Sequence, residues 1–284
     1  MKSRFLICLT VFSFILFASC NNNPKANNDK VNTPKAADSA ATSAASPTTA
    51  SVPDNAKKNS VAEIYAKPQI PILCYHRIAD GRKDEYSVSP STFLSHLDAL
   101  KNNGYHSVSP DQLYNYLVYN QPLPEKPFMI TFDDSRIEHF EIAGPELKKR
   151  GFTGAFFIMT ITYNKKNYMS TEQIAQMAKD GHTIGLHSWD HTMASKYTTP
   201  EDWKKQVEDP KKKLEDIIGK KVDYWAYPNG VYNHAAAEGL SKYFKISFIL
   251  TSKRDTLQPL QTVRRMIIPT MSPERLLKSI EGWK

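Results

Sequence analysis

The feature that most constrains the fold is an alternation of short apolar runs and amphipathic stretches over residues 67–284. This alternation is typical of an α/β protein, in which helices connect parallel strands. We predict eight strands, over residues 70–75, 106–108, 128–132, 155–159, 183–186, 222–227, 246–250 and 263–268. Eight strands with helices between them favour a closed or nearly closed (β/α) barrel over an open sheet. Chemistry in such barrels collects where strands end and loops begin.

Helix boundaries between these strands are marked by capping residues. Ser109 and Thr199 each precede a proline, and Ser170 is followed three residues later by Gln173, which is the pattern of a capping box. Gly219 is predicted to end a helix, because glycine adopts the left-handed conformation of a C-terminal cap.

The N-terminus has the organisation of a secretory signal. Lys2 and Arg4 precede an almost uninterrupted apolar run over residues 5–18. A run of this length is too short to remain as a membrane span.

The end of this run is similar to a processing site. Residues 16–20, Leu-Phe-Ala-Ser-Cys, resemble the bacterial lipobox, in which the cysteine becomes the lipidated first residue. We therefore expect a lipoprotein signal peptide over residues 1–19 and lipidation of Cys20. The chain would then be a membrane-anchored lipoprotein of the cell envelope, facing the periplasm or the exterior. Ordinary secretion and a retained anchor are the alternatives.

The segment that follows differs sharply in composition. Residues 21–60 contain no aromatic residue and no Leu, Ile or Met. Such a segment cannot bury enough apolar surface to offset the entropy of ordering it. We expect residues 20–66, with the lipidated cysteine, to form a disordered tether, and residues 67–284 to form one domain. Cys74 is the single cysteine of that domain, so the mature form can have no internal disulfide.

The net charge of +8 gives no support for nucleic acid binding. Lys2 and Arg4 account for two of these charges and residues 21–66 for one, which leaves +5 for the domain. The lysine-rich stretch 204–213 also carries acidic residues, so a solvated helix face is the better interpretation. We expect a monomer without a nucleic acid partner.

Two of the predicted strand ends carry side chains that could act together. Asp133 and Asp134 directly follow one strand, although such a pair alone more often marks a turn or a helix cap. His187 and His191 follow a later strand, and histidines four residues apart share one face of a helical turn, where both can reach one metal. One carboxylate and two histidines at one rim would form a facial triad with open positions for water and substrate.

These residues lie in three motifs that, in this order, resemble those of the polysaccharide deacetylase family, carbohydrate esterase family 4. The motifs are Thr131-Phe132-Asp133-Asp134, the pair His187 and His191, and Tyr227-Pro228-Asn229-Gly230. The resemblance covers most of residues 67–284 and implies a distorted (β/α) barrel of seven or eight strands that removes acetyl groups from a polysaccharide. The opening run Pro71-Ile72-Leu73-Cys74-Tyr75-His76 most resembles the branch of poly-β-1,6-N-acetylglucosamine deacetylases.

The resemblance also implies roles for individual residues. Asp134, His187 and His191 would bind a divalent metal, usually Zn²⁺, with Co²⁺ or Ni²⁺ as alternatives. Asp133 would be the general base, while the metal polarises the acetyl carbonyl. The tetrahedral oxyanion also needs a backbone N–H donor, which we predict at or close to Asn229.

The sequence departs from the family pattern at several positions. Ala226 stands where an arginine usually clamps the base, and Arg264 or Arg265 could substitute for it. Ser135 replaces the usual glycine, and no Leu-x-His motif occurs near the C-terminus. The proton donor to the leaving group is therefore open. His76 is the candidate, with a structural hydrogen bond as the equal alternative.

Aromatic residues near the motifs could stack on sugar rings. The candidates are Trp189, Trp225, Tyr227 and Tyr232, with core packing the better interpretation for Trp225. His139 is expected on a helix surface.

Three functions follow from these residues. The first is N-deacetylation of an N-acetylglucosamine-type glycan, and the second is hydrolysis of O-acetyl esters on a polysaccharide such as acetylxylan. The third is a glycan-binding lipoprotein that holds metal without turnover, and the intact Asp133 argues against it.

Overall fold

The computed structural model describes residues 52–53, 55–82, 84–251 and 253–283. The predicted signal peptide, the predicted lipidation site Cys20 and most of the predicted tether lie outside the described residues. Across the described part of the chain, none of the helices combines the length and the apolarity that crossing a bilayer requires.

Most strands belong to one parallel sheet. The strands are β1 Ile72–Tyr75, β2 Arg77–Ile78, β3 Ser87–Val88, β4 His106–Ser107, β5 Pro127–Phe132, β6 Ala155–Ile158, β7 Thr183–Leu186, β8 Tyr224–Ala226, β9 Ile246–Ile249, β10 Val263–Arg264 and β11 Met266–Ile267. Within the described residues, eight of them follow the order β10-β9-β8-β7-β6-β5-β1-β11 and form a nearly closed barrel. Strand β4 pairs with the beginning of β5, and β2 pairs with β3 in a small separate sheet.

The predicted (β/α) barrel is confirmed, and its closure explains one difference from the prediction. Residues 263–268 were expected as one strand, but they form β10 and β11 with Arg265 between them. Strand β10 pairs with β9, whereas β11 pairs with β1 on the opposite edge of the sheet. The chain crosses the seam of the barrel at this residue, so one apolar run supplies both edge strands. Residues 106–108, in contrast, contribute no barrel strand.

Alternate residues along the barrel strands belong to two different cores, as the pleat of a strand requires. Leu73 and Phe156 belong to the cluster between the sheet and the surrounding helices. Ile72 and Phe157 belong to the second cluster, which fills the barrel interior. A side chain at the end of a strand therefore points inward or outward according to its register.

Helices surround the sheet and begin at polar caps. They are α1 Val61–Ala66, α2 Pro90–Asn102, α3 Pro110–Tyr119, α4 Gly144–Lys149, α5 Thr171–Lys179, α6 Pro200–Trp203, α7 Asp209–Ile218, α8 His234–Leu240 and α9 Pro273–Glu281. A π-helical segment, His139–Ala143, leads into α4, and another, Lys204–Glu208, joins α6 to α7. Ser109, Ser170 and Thr199 cap their helices as predicted, each in a capping box.

The ordered domain begins before residue 67, so the tether predicted over residues 20–66 is too long at its C-terminal end. The N–H of Asn59 donates to the carbonyl of Val118 at 2.8 Å. Ser60 caps α1 in a capping box, and Ile64 of this helix is buried in the interior core. The buried Ile64, the cap at Ser60, the hydrogen bonds of Asn59 and that from Arg254 to the Tyr65 carbonyl hold this short segment against the barrel, although its composition resembles that of a linker.

Candidate active site

The two adjacent aspartates diverge at the end of β5. Asp133 keeps the register of the strand, points into the barrel and is 1% exposed. Asp134 and Ser135 have positive φ values of 76° and 57°, so the backbone turns and carries Asp134 to the rim. The buried hydroxyl of Ser135 accepts the N–H of Met159 at 2.8 Å, which offsets the strain of a non-glycine residue in this conformation.

Asp134, His187 and His191 converge at the rim of the barrel. The Nε2 atoms of His187 and His191 each lie 3.7 Å from Asp134 Oδ1. The expectation that both histidines share a helical turn is wrong. Residues 188–190 form a turn, with positive φ at Ser188 and His191, and the N–H of His191 donates to Ser188 Oγ at 2.8 Å. The turn nevertheless brings the two imidazoles together, with ring centroids 4.9 Å apart.

A backbone contact fixes how His187 presents its ring. Its Nδ1–H donates to the carbonyl of Ala226 at 2.8 Å, which leaves Nε2 as the lone-pair donor that faces Asp134. Burial lowers the pKa of His187, against the opposing influence of Asp133 and Asp134. The ring is therefore held in the neutral form that a metal requires.

The three side chains fit a divalent metal. One atom from each, two imidazole nitrogens and a carboxylate oxygen, lies within 4.8 Å of the others. Ligands about 2.0–2.1 Å from a tetrahedral Zn²⁺ lie about 3.4 Å apart, close to the separations of 3.7 Å observed here. Two nitrogens and one oxygen form a donor set suited to Zn²⁺, Co²⁺ or Ni²⁺.

Asp133 is held by Arg265 in a bidentate ion pair. Arg265 Nη1 donates to Oδ1 at 2.7 Å and Nη2 donates to Oδ2 at 2.8 Å. Burial alone would raise the pKa of Asp133, but Arg265 and the nearby His187 together hold it below its usual range. The carboxylate therefore stays ionised although it is enclosed by protein.

Of the two adjacent arginines, Arg265 and not Arg264 contacts Asp133. Arg265 follows the inward register of Val263, whereas Arg264 points to the other side, where its Nε donates to Gln69 Oε1 at 2.7 Å. Its guanidinium also lies over the ring of Trp283. Of the two candidates that the sequence left open, Arg264 therefore does not make the contact with Asp133. Arg265 makes the contact with Asp133 that the resemblance led us to expect from an arginine at position 226.

His76 borders the cleft beside Asp133. Its Nε2 is 3.9 Å from Asp133 Oδ2, and its Nδ1 is 4.0 Å from Cys74 Sγ. His139, expected on a helix surface, is instead buried and lies with Nε2 2.6 Å from the His76 carbonyl. Burial lowers the pKa of His139 to about 4, so the ring is neutral and donates this hydrogen bond.

A cleft of about 600 Å³ gives access to Asp133, Asp134, His187 and His191. It is lined by His76, Arg77, Arg82, Asp84, Tyr86, Asp133, Asp134, Arg136, His187, His191, Asn229, Gly230, Val231, Leu250, Thr251 and Ile267. Asn229 adopts a left-handed conformation in the turn Pro228–Gly230, which brings its backbone to the cleft.

The predicted aromatic platform is not assembled at this cleft. Trp225 and Tyr227 are fully buried, so the preference for core packing of Trp225 is confirmed and Tyr227 offers no face to a sugar. Trp189 is partly buried beneath Lys205. Within the described part of the chain, neither Trp189 nor Tyr232 lines the cleft. Tyr86, which no sequence motif indicated, lines the cleft and is 43% exposed, with the ring of His76 edge-on to it.

The fold and the site together define a (β/α) barrel with a carboxylate and two imidazoles arranged for a metal. Residues 120–243 match the sequence model of the family described as "Polysaccharide deacetylase". The chain is 29% identical over 174 residues to the Bacillus subtilis protein named "Putative polysaccharide deacetylase YxkH". This match covers 61% of each chain, so it spans less than two thirds of that relative.

Two solved structures extend the comparison to the three-dimensional fold. The Streptococcus pyogenes deacetylase PplD, in complex with acetate, superimposes with a TM-score of 0.68 and 27% identity, covering 75% of this chain and 99% of PplD. IcaB from Ammonifex degensii gives a TM-score of 0.63 and 26% identity, covering 76% of this chain and 97% of IcaB. Over part of its length, the chain is therefore similar to proteins described as polysaccharide deacetylases.

Proposed function

We propose that this chain is a metal-dependent deacetylase that hydrolyses the acetamido groups of an N-acetylglucosamine-type polysaccharide. One observation carries the proposal: Asp134, His187 and His191 converge beside a second carboxylate, Asp133, that Arg265 keeps ionised. Asp134 and the two histidines supply a cation site, and Asp133 supplies a separate base. The likeness to the deacetylase PplD, solved in complex with acetate, supports deacetylation, and the match to the polysaccharide deacetylase model supports a glycan as substrate.

The residues divide the reaction between them. A bound divalent cation would polarise the acetyl carbonyl towards attack by water. Asp133 accepts the proton of that water, and the clamp by Arg265 holds its carboxylate in a fixed orientation. The backbone N–H at Asn229 donates to the developing oxyanion. His76, 3.9 Å from Asp133 Oδ2, donates the proton that the leaving nitrogen needs.

The cellular location forms part of the same proposal. Lipidation at Cys20, motivated by the lipobox-like residues 16–20, would attach the domain to a membrane of the cell envelope. Metabolic labelling with a radioactive fatty acid tests this assignment. We expect label on the wild-type chain and none on Cys20→Ser, and label on both would refute it.

Acetate release by the purified chain tests the activity. The protein is stripped with a chelator, reloaded with Zn²⁺ or Co²⁺, and assayed in parallel on N-acetylglucosamine oligomers and on O-acetylated xylan. We expect metal-dependent release from the oligomers. Release from xylan alone would replace amide hydrolysis with ester hydrolysis, and no release from either would remove the enzymatic proposal.

Single substitutions at Asp133 and at Asp134 separate the roles of these two carboxylates. Asp133→Asn should abolish acetate release while zinc content is retained, because this side chain is the base. Asp134→Ala should abolish release together with zinc binding. Wild-type activity in Asp133→Asn would refute the mechanism.

A further inference from the structure

Two arginines border the cleft on segments that also carry the reacting groups. Arg77 directly follows His76, and Arg136 follows Asp134 by two residues. Both side chains are partly buried and line the same cleft as the proposed metal ligands, so a sugar bound there would lie close to them.

Neither guanidinium forms a close ion pair among the described residues. The nearest carboxylate oxygen to Arg77 belongs to Glu138, 3.9 Å from its Nε, which is too long for a hydrogen bond. The guanidinium of Arg136 lies over the ring of Tyr168, 4.7 Å from the ring centroid. The Nε atoms of both arginines are buried and have no acceptor within the described part of the chain.

Other charged groups of the cleft already have partners of opposite charge. Arg82 pairs with Asp84 at 3.1 Å, and Asp133 pairs with Arg265. Asp134 belongs to the proposed cation site, where the charge of a divalent ion would exceed the single negative charge of this carboxylate. Within the described part of the chain, Glu138 is the carboxylate nearest to Arg77, and no carboxylate lies within ion-pair distance of Arg136.

We propose that Arg77 and Arg136 form an anion subsite, and that the substrate is a glycan with an anionic group on or next to the acetylated sugar. This inference rests on the proposed deacetylase function and specifies its substrate class. Guanidinium groups bind phosphate and carboxylate through paired N–H donors, which suits either a phosphodiester or a carboxyl substituent. Tyr86, exposed at the same side of the cleft, offers an aromatic face to the sugar ring.

The same charge distribution opposes a different class of glycan. Deacetylation produces free amines, which are cationic at neutral pH. A chain that already carries many amines would be repelled by the two arginines, whereas an acidic chain would be attracted. The subsite therefore favours isolated acetamido groups in acidic glycans over repeated deacetylation of a neutral homopolymer.

The test uses three N-acetylglucosamine tetramers that differ in one substituent. One is neutral, one carries a phosphodiester-linked glycerol, and one carries a carboxyl group as a lactyl ether. We expect kcat/KM to be at least about tenfold higher for one or both anionic tetramers than for the neutral one in low salt, and this ratio to fall as salt is raised. The two anionic arms identify which substituent is preferred.

Substitutions assign the preference to the two arginines. Arg136→Gln and Arg77→Gln should each reduce the anionic-to-neutral ratio about tenfold, and Arg136→Lys should retain part of it because the charge remains. Lys212→Gln removes the same charge from an exposed position on α7 and should leave the ratio unchanged. A ratio near one in the wild type, or an unchanged ratio in both arginine variants, would overturn the subsite.

Binding to the chelator-treated full chain separates this inference from the proposed function. Tighter binding of an anionic tetramer than of the neutral one, lost in Arg136→Gln, supports the subsite even if no tetramer is hydrolysed. Failure of hydrolysis with this preference intact would count against the deacetylase proposal alone. Equal binding of all three tetramers would count against the subsite alone.

Discussion

Arg265 and Asp133 form a buried, two-point ion pair at the seam of the barrel, with N–O distances of 2.7 and 2.8 Å. Arg265 is the residue at which the chain passes from one edge strand to the other, and Asp133 directly follows β5, the strand next to β1. Barrel closure and orientation of the proposed base therefore depend on the same residue.

Removing this arginine should impair both stability and activity. Arg265→Gln leaves the buried carboxylate of Asp133 without its partner, which we expect to cost about 3–5 kcal/mol in the free energy of unfolding. Loss of the fixed geometry should lower kcat/KM at least about 100-fold. Urea unfolding and acetate release measure the two effects.

The neighbouring residue provides the matched control for this experiment. Arg264→Gln removes the same charge one position away, where the side chain contacts Gln69 and Trp283. It should retain most of the activity. Equal losses in the two variants would show that the clamp on Asp133 is not the cause.

Zinc should stabilise the folded chain through its three proposed ligands. A metal at 100 times its dissociation constant adds about 2.7 kcal/mol to the free energy of unfolding, seen as a rise in Tm. His191→Ala should lose this rise, while His106→Ala, an exposed histidine distant in sequence from the motifs, should keep it. An equal rise in His191→Ala would contradict the ligand assignment.

Mild acid should destabilise the fold through His182. Burial lowers its pKa to about 4, and its Nδ1 accepts the N–H of Gly154 at 3.2 Å, an interaction that a protonated ring cannot make. The unfolded chain takes up this proton near the ordinary value of 6.5, so the contribution to stability is complete above that pH. It is lost as the pH falls from 6.5 to about 4.

His182→Asn tests this pH dependence. The amide oxygen can accept the same N–H without titrating, so the loss of stability between pH 7 and 4.5 should be smaller than in the wild type by roughly 2 kcal/mol. Urea unfolding at both pH values measures it. His106→Asn should follow the wild type, and identical curves for His182→Asn would exclude this histidine as the cause.

Gly230 is required for the turn that presents Asn229. A Cβ added at Gly230 would lie 2.2 Å from the Cβ of Leu250, and its φ of 67° also disfavours other residues. Gly230→Ala should therefore destabilise the fold by more than about 2 kcal/mol and reduce activity. Gly151→Ala shares a positive φ of 71° but meets no atom within 4 Å, so it should cost only about 1 kcal/mol. Comparable Tm losses would contradict the steric explanation.

Local patterns in the sequence predicted much of the fold and the central part of the site. Strand runs and capping boxes depend on neighbouring residues, and Ser109, Ser170 and Thr199 cap helices as expected. The residue types and spacing of Asp134, His187 and His191 indicated a metal site. The turn that joins the two histidines was predicted wrongly, because spacing four is compatible with a left-handed turn as well as with a helix.

The sequence by itself determined the class of fold, the order of its elements and the residues able to bind a cation, since these follow from hydrophobic periodicity and residue chemistry. The tertiary structure decided which arginine clamps Asp133. Arg264 and Arg265 have the same chemistry, and only the register of β10 at the barrel seam turns one outward and the other inward. The tertiary structure also decided that Arg77 and Arg136 share a cleft, because contacts between residues distant in sequence form only when the barrel closes.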